Sequence, residues 1–370
     1  MEKIKSFISS NAVLVIAFTA AVISMFFIPP SAAYKDYIDF HVLIMLFCLM
    51  GVVEAFREIG VFKAVTSFLL NKTSSSRMIA FIMMNLCFFT SMLVTNDVAL
   101  ITFVPLCIGI GSYTQNKQFV IRTIVIETAA ANLGSMMTPI GNPHNLFVYS
   151  YYKIPGIEFF TTLLPAGILS YALLCLSLLL IKKEKISYHH EETGKISVPK
   201  ILIYAAVFVV CLLAVAGIVN EYICLGVTAL ILLLTDRRVF TKIDYSLLAT
   251  FVCFFVFVGN LGAADAVREF VSKIMEGREM VVSALLSQVI SNVPASIMLS
   301  GFTENAKALL IGVNIGGLGT PVASLASLIS FRLYSADKSS KKGKYMGFFL
   351  IYSFIFFAVL MLFQLFVIGI

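Results

Sequence analysis

Apolar runs of roughly 17 to 25 residues recur along the chain with short polar connections between them. Each run is long enough to cross the ~30 Å hydrocarbon core of a bilayer as a helix. The pattern predicts spanning helices near residues 10–28, 38–56, 118–152, 159–181, 200–218, 221–236, 244–260, 305–334 and 344–368. Two further apolar stretches, 77–113 and 279–303, read as helical hairpins. In the second, the arms Glu279 to Ile290 and Pro294 to Phe302 are about ten residues each. At ~1.5 Å per residue each arm covers about half the core, so this hairpin enters and leaves by one face. The first hairpin has longer arms and reaches deeper, and it too returns the chain to its starting side. Stretches 57–71 and 263–277 each follow a span and mix charges with apolar residues at helical spacing, which suits helices lying in the interface.

Composition strengthens this picture. The chain has 370 residues, 59% hydrophobic and 13% charged, where a soluble domain would be near half apolar and a quarter charged. No stretch is left for a soluble domain. The seven cysteines (Cys48, Cys87, Cys107, Cys175, Cys211, Cys224, Cys253) all lie in apolar segments and form no C-x-x-C pair, so they read as small packing residues. The first apolar run ends at Pro29-Pro30 rather than at a small-residue cleavage site, and is expected to be retained as a span. The net charge of +7 is scattered over loops and gives no nucleic-acid footprint. With the amino terminus inside, only Lys35, Lys153, Arg268, Lys273, Arg278 and Lys307 of the 27 basic residues fall in outer segments. The positive-inside bias therefore predicts a cytoplasmic amino terminus and an outer carboxyl terminus in the cytoplasmic (inner) membrane. His189 and His190 sit in a charged cytoplasmic linker, 182–199, with no third ligand nearby, and no metal site is expected.

A long-range repeat organises the rest. Asn132-Leu133-Gly134-Ser135-Met136-Met137-Thr138-Pro139 matches Asn314-Ile315-Gly316-Gly317-Leu318-Gly319-Thr320-Pro321 at an offset of 182. Upstream of each lies a hairpin tip, Thr95-Asn96-Asp97-Val98 and Ser291-Asn292-Val293-Pro294. Further upstream, Ile38-Asp39-Phe40 pairs with Ile243-Asp244-Tyr245 at the start of a span. The predicted fold is an all-α polytopic membrane protein, one transporter domain over 1–370, with a first repeat at 38–181 and a second at 244–368. An odd number of crossings separates the two halves, so they are inverted and their hairpins enter from opposite faces. The expectation is about nine spanning helices, two broken at the midplane, plus two re-entrant hairpins, the recurring architecture of secondary transporters.

The glycines and prolines of the repeat cannot sustain unbroken helices, and freed backbone groups at membrane depth are tolerated where they line a cavity or meet protein partners. Half-helix amino termini offer N–H groups to an anion, and freed carbonyls with Asn, Ser and Thr oxygens can ligate a cation. Substrate is therefore expected at Thr95, Asn96, Thr138 and Asn142 in one half and at Ser291, Asn292, Asn314 and Thr320 in the other. The coupling ion is expected at Asp97, Asn96, Asn132, Gly134, Ser291, Asn292 and Gly317. A carboxylate at the midplane is costly without a partner or a function. Asp97, at a tip, is the leading proton- or cation-binding candidate. Glu127, upstream of Asn132, is a second proton candidate with Arg122 as its alternative ion-pair partner. Glu54 is expected at the interface, and His144 is a candidate to contact an anion or to titrate.

The Thr95-Asn96-Asp97 tip, the run Thr138-Pro139-Ile140-Gly141-Asn142-Pro143 continuing to Asn145-Leu146, and Ser291-Asn292-Val293-Pro294 resemble the ion transporter superfamily. The likeness is strongest to the branch that holds arsenite efflux pumps, sodium/proton antiporters and citrate-metal transporters, and it covers nearly the whole chain. Related dicarboxylate transporters carry Ser-Asn-Thr at both tips, contributing to sodium sites and contacting substrate carboxylates; here the third positions are Asp97 and Val293. The resemblance implies a scaffold region that often dimerises, hence a homodimer, and a transport region that moves. The leading functional expectation is coupled symport or antiport of a small anion, a carboxylate or oxyanion, with protons or sodium. No cofactor is implied beyond sodium as coupling ion. Arsenite efflux and sodium/proton antiport are alternatives on the same scaffold; a channel or a membrane-embedded hydrolase are alternatives of another class. No H-E-x-x-H spacing or paired intramembrane aspartate supports an enzyme.

Overall fold

Asp39 and Asp244, the aspartates of the two matching I-D-[FY] triplets, each start a long helix. The Asp39 carboxylate accepts from the Val42 N–H at 3.0 Å and Asp244 from the Leu247 N–H at 2.9 Å, satisfying one of the amino-terminal N–H groups that a helix leaves unpaired. The repeated triplet is thus a repeated N-cap. The computed structural model describes residues 11–32, 34–70, 73–114, 116–186, 197–337 and 340–369. His189, His190 and most of the predicted linker lie outside the described residues.

The described chain is all-helical. In order, α1 is Ala12–Phe27, α2 Tyr34–Tyr37, α3 Phe40–Glu58, α4 Val61–Leu70, α5 Ser76–Leu93, α6 Asn96–Gly111, α7 Lys117–Ser135, α8 Pro143–Tyr151 and α9 Gly156–Ser177. Then come α10 Val198–Val215, α11 Glu221–Thr235, α12 Tyr245–Gly262, α13 Asp265–Met275, α14 Glu279–Ile290, α15 Asn292–Ser300, α16 Ala306–Ile315, α17 Leu325–Ala336 and α18 Lys342–Phe363. Among the described residues six helices are long and apolar enough to cross a membrane: α3, α5, α9 (continued to Leu180), α10, α12 and α18 (continued to Val367). This is a membrane protein. The predicted spans 118–152 and 305–334 are each interrupted, between α7 and α8 and between α16 and α17. The hairpins differ as their sequences imply, with arms of 18 and 16 residues in α5–α6 and of 12 and 9 in α14–α15.

Packing follows one scheme twice. Helix α5 lies against α7 as α14 lies against α16; α7 meets α18 as α16 meets α9. The second hairpin arms cross over: α6 packs on α17 and α15 on α8, each against the post-break helix of the other half. A second group gathers α3 with α10 and α11, and α12 with α1. The α1–α12 seam carries a polar knot, in which Asn260 Nδ2 donates to Ser24 Oγ and Tyr34 Oη, both at 2.9 Å. The open end of the first hairpin is tied to the segment after α9: Ser76 Oγ donates to Lys182 O (2.8 Å), Ser76 N to Glu184 O (2.9 Å) and Arg77 Nη2 to Ile181 O (3.0 Å). Glu54, near the end of α3, is buried within the protein and paired with Arg57 at 3.0 Å. A carboxylate one turn from an arginine on its own helix carries its counter-charge with it.

Candidate substrate and coupling-ion site

Each hairpin tip is fastened to the break beside it by the same set of contacts. In the first half, the Asn96 N–H donates to Gly141 O (3.3 Å) and Thr138 Oγ1 to Met92 O. In the second, the Asn292 N–H donates to Ala323 O (2.9 Å) and Thr320 Oγ1 to Gln288 O (2.8 Å). Gly134 sits where a Cβ would lie 2.1 Å from Phe88 O and 2.7 Å from Ser91 Oγ, and at Gly316 a Cβ would lie 2.8 Å from Ser287 Cβ. These glycines let the broken helix touch the first hairpin arm. Asn142 and Ser324, both extended, precede α8 and α17, and Pro143 opens α8 where its missing N–H costs nothing. Ser291 turns the second tip at φ 76°, a conformation of a kind that stores ~1–3 kcal/mol for a non-glycine residue.

The two halves are joined through the motif asparagines. Asn132 Oδ1 accepts from Asn96 Nδ2 and, across the halves, from Ser324 Oγ, both at 2.9 Å. Asn314 Nδ2 donates across the halves to Asn145 Oδ1 (2.7 Å), while Asn314 Oδ1 faces His144 Nε2 (3.2 Å). All of these groups are buried, so each hydrogen bond satisfies a polar atom that would otherwise be orphaned away from water. The freed carbonyls are also occupied. Asn145 Nδ2 donates to Ser135 O, Met136 O and Thr138 O (3.2, 3.3 and 3.2 Å), and Gln288 Nε2 to Gly316 O and Leu318 O (2.8 and 2.9 Å).

Beside the tips lies a cavity of about 230 Å³, room for roughly seven waters at ~30 Å³ each and so matched to a small solute. Its wall includes Asp97 of the first tip, Val293 and Pro294 of the second, Leu325 at the start of α17, Asp244 and Arg332. Asp97 Oδ1 is buried with no hydrogen-bond partner among the described residues. The expected site residues therefore divide. Asp97 reaches the cavity. Asn96, Asn132 and Asn314 form the polar network behind it, as does Asn142, which donates to Ser135 Oγ. The hydroxyl hydrogens of Thr138 and Thr320 are committed to hairpin carbonyls. Thr95 caps α6 without a side-chain hydrogen bond; Ser291 and Asn292 sit in the tip, with Asn292 Nδ2 2.8 Å from where a Cβ on Gly317 would lie. Glu127 lies apart, fully buried beside the Cys107 thiol, and Arg122 turns instead to Leu180 O. Asn145, Gln288, Ser324 and Arg332 belong to the site or its support without having been assigned a role from sequence. Asn145 stood in the run that carries the resemblance and Ser324 stands 182 residues after Asn142, while Gln288 and Arg332 had no such signal. Among the described residues no three His, Cys, Asp or Glu side chains converge on a metal-sized site.

A polytopic helical protein whose two interrupted helices and two hairpin tips meet in a buried polar network has the build of a membrane transporter. The sequence model of the family described as citrate transporter matches residues 1–309. An uncharacterized transporter of Methanocaldococcus jannaschii is 35% identical over 302 residues, covering 81% of this chain and 82% of the relative. The inner membrane protein YbiR of Escherichia coli is 30% identical over 313 residues, covering 83% of this chain and 84% of the relative. The chain belongs to the citrate transporter family.

Proposed function

We propose that the protein is a secondary active transporter that carries a small anion, a carboxylate or oxyanion, across the cytoplasmic membrane, driven by a gradient of protons or sodium. The observation that carries this reading is the cavity beside the two hairpin tips, whose lining includes both Asp97 and Arg332. Arg332 and the amino-terminal turn of α17 suit the anion; Asp97 suits the coupling cation. The five steps counted in the sequence from the span at 38–56 to its counterpart at 244–260 make the halves inverted repeats in this reading, with tips arriving from opposite faces. The exchanged packing of α6 on α17 and α15 on α8 supports that arrangement. The group around α3, α10, α11 and α12 is the scaffold in this reading, and the hairpins with their interrupted helices are the moving part. Asp244 and Arg332 lie at helix ends that the charge bias puts inside, which favours an inward-facing state.

Purified protein in proteoliposomes tests the reading. Citrate, dicarboxylates or oxyanions should accumulate when a proton or sodium gradient is imposed. Asp97→Asn should lower that accumulation by ~10-fold or more, the scale of ordinary coupling energies of ~1–3 kcal/mol, while counterflow exchange persists. Equal uptake with and without any gradient would remove the proposal.

A further inference from the structure

Each interrupted helix curls its carbonyls around one side-chain amide. In the second half the amide belongs to Gln288, on the last turn of α14. Its Nε2 lies 2.8 Å from Gly316 O, 2.9 Å from Leu318 O and 3.2 Å from Ala284 O, and its Oε1 accepts from the Thr320 N–H at 2.9 Å. In the first half the hairpin offers Met92 at the corresponding place, and the amide comes from Asn145 on α8. Its Nδ2 lies 3.2, 3.3 and 3.2 Å from Ser135 O, Met136 O and Thr138 O, and its Oδ1 accepts from Asn314 Nδ2 at 2.7 Å. The surroundings fix which way both amides point, because a carbonyl oxygen cannot donate and a backbone N–H cannot accept.

Three break carbonyls in the first half, and two in the second joined by Ala284 O of α14 itself, converge on one point, and such oxygens are a donor set for a monovalent cation. Here the point is held by an –NH₂ group whose hydrogens carry the partial positive charge and whose attachment is covalent. Two unrelated side chains from different elements fill the two breaks, so the shared feature is the amide and not the residue that delivers it. Gly319 supports the arrangement on the second side. Its φ is +99°, and a Cβ there would lie 2.2 Å from Gln288 Oε1, so the loop has been shaped around this side chain.

Building on the transporter reading, we infer that Gln288 and Asn145 act as built-in cation substitutes that close both breaks to sodium, leaving the proton as the coupling ion. The two residues are specificity-determining positions for the driving ion. Neither lines the cavity.

Two measurements test this. In proteoliposomes, wild-type uptake should follow an imposed proton gradient and stay unchanged when sodium is replaced by choline at constant ionic strength. Sodium-driven accumulation that saturates with sodium would overturn the inference while leaving the transporter reading standing. Absence of accumulation under any gradient would instead overturn the transporter reading. The second measurement, thermal unfolding of purified protein, does not depend on transport. The wild-type Tm should respond equally to sodium chloride and choline chloride. Gln288→Glu keeps the side-chain length but turns an oxygen toward the carbonyls, and it should become stabilised by sodium by several degrees over choline, since a ligand bound to the folded state raises apparent stability. Gln288→Met, copying Met92, should lower Tm in both salts. A Gln288→Glu protein as stable as wild type with no sodium response, or a wild-type protein that sodium specifically stabilises, would each refute the assignment.

Discussion

Glycine is the residue whose absence of a side chain matters most in this protein, and the positions where it matters are few. At Gly134 the space for a Cβ is taken by the Phe88 carbonyl, which is backbone within a helix and cannot swing away. Gly134→Ala should therefore destabilise by ~1–3 kcal/mol, the usual cost of overpacking, and separate α7 from α5. Gly226, in α11, has nothing within 4 Å of the equivalent position. Gly226→Ala should be neutral or should stabilise by up to ~1 kcal/mol through helix propensity. Thermal unfolding of the two detergent-purified variants beside wild type reads the contrast, and an unaffected Gly134→Ala would mean that the α5–α7 contact is looser than described. The same scale shows what sequence reasoning sees and what it misses. The glycines, prolines and asparagines of the repeat announce a break through their own backbone preferences. The roles of Asn145 and Gln288 depend on which side chain happens to reach the loop in three dimensions, and the two halves solved that differently.

Helix beginnings carry the next layer of information. Asp39 and Asp244 both cap long helices, but only Asp244 also lines the cavity. Asp39→Ala should lower stability by ~1 kcal/mol through loss of the cap with little change in substrate affinity. Asp244→Asn keeps a capping oxygen while removing a negative charge from the cavity wall, so stability should hold and KM for an anionic substrate should fall severalfold. Tm and uptake kinetics on the two variants separate these effects; an Asp244→Asn protein with unchanged KM would show that its charge does not reach the substrate. At this scale the sequence was largely legible. Elements fall close to their expected positions because apolar runs and caps are local signals. The second arm of α14–α15 starts at Asn292, ahead of the expected Pro294, because proline is tolerated in the first turn of a helix, where its missing N–H has no intrahelical partner. The commitment of Thr138 and Thr320 to hairpin carbonyls was not legible, since a threonine donating to a backbone and one facing a ligand read alike in a single chain.

For the whole molecule, the arrangement across the membrane is the claim most open to direct measurement. In a background lacking the seven native cysteines, single cysteines replacing Lys153 and Arg278 should react with a membrane-impermeant maleimide from outside intact cells. Cysteines replacing Lys183 and Lys342 should react only after the membrane is opened. Labelling of Lys153→Cys and Lys183→Cys from one face would contradict the passage of α9 through the bilayer and, with it, the inversion of the halves.

The buried hydrogen bonds from Ser324 to Asn132 and from Asn314 to Asn145 join the interrupted helices of the two halves and constrain how such a protein moves. Each hairpin tip is in turn bonded to a break, through Asn96 Nδ2 to Asn132 Oδ1 and through the Asn292 N–H to Ala323 O, so lifting either hairpin by itself would strand buried polar atoms at ~1–3 kcal/mol apiece. Neither tip is suited to serve as a separate hatch. The pair is stitched into one panel, and under the proposed function a cargo seated against it would change sides as a passenger does in a turnstile, when the panel travels past its frame.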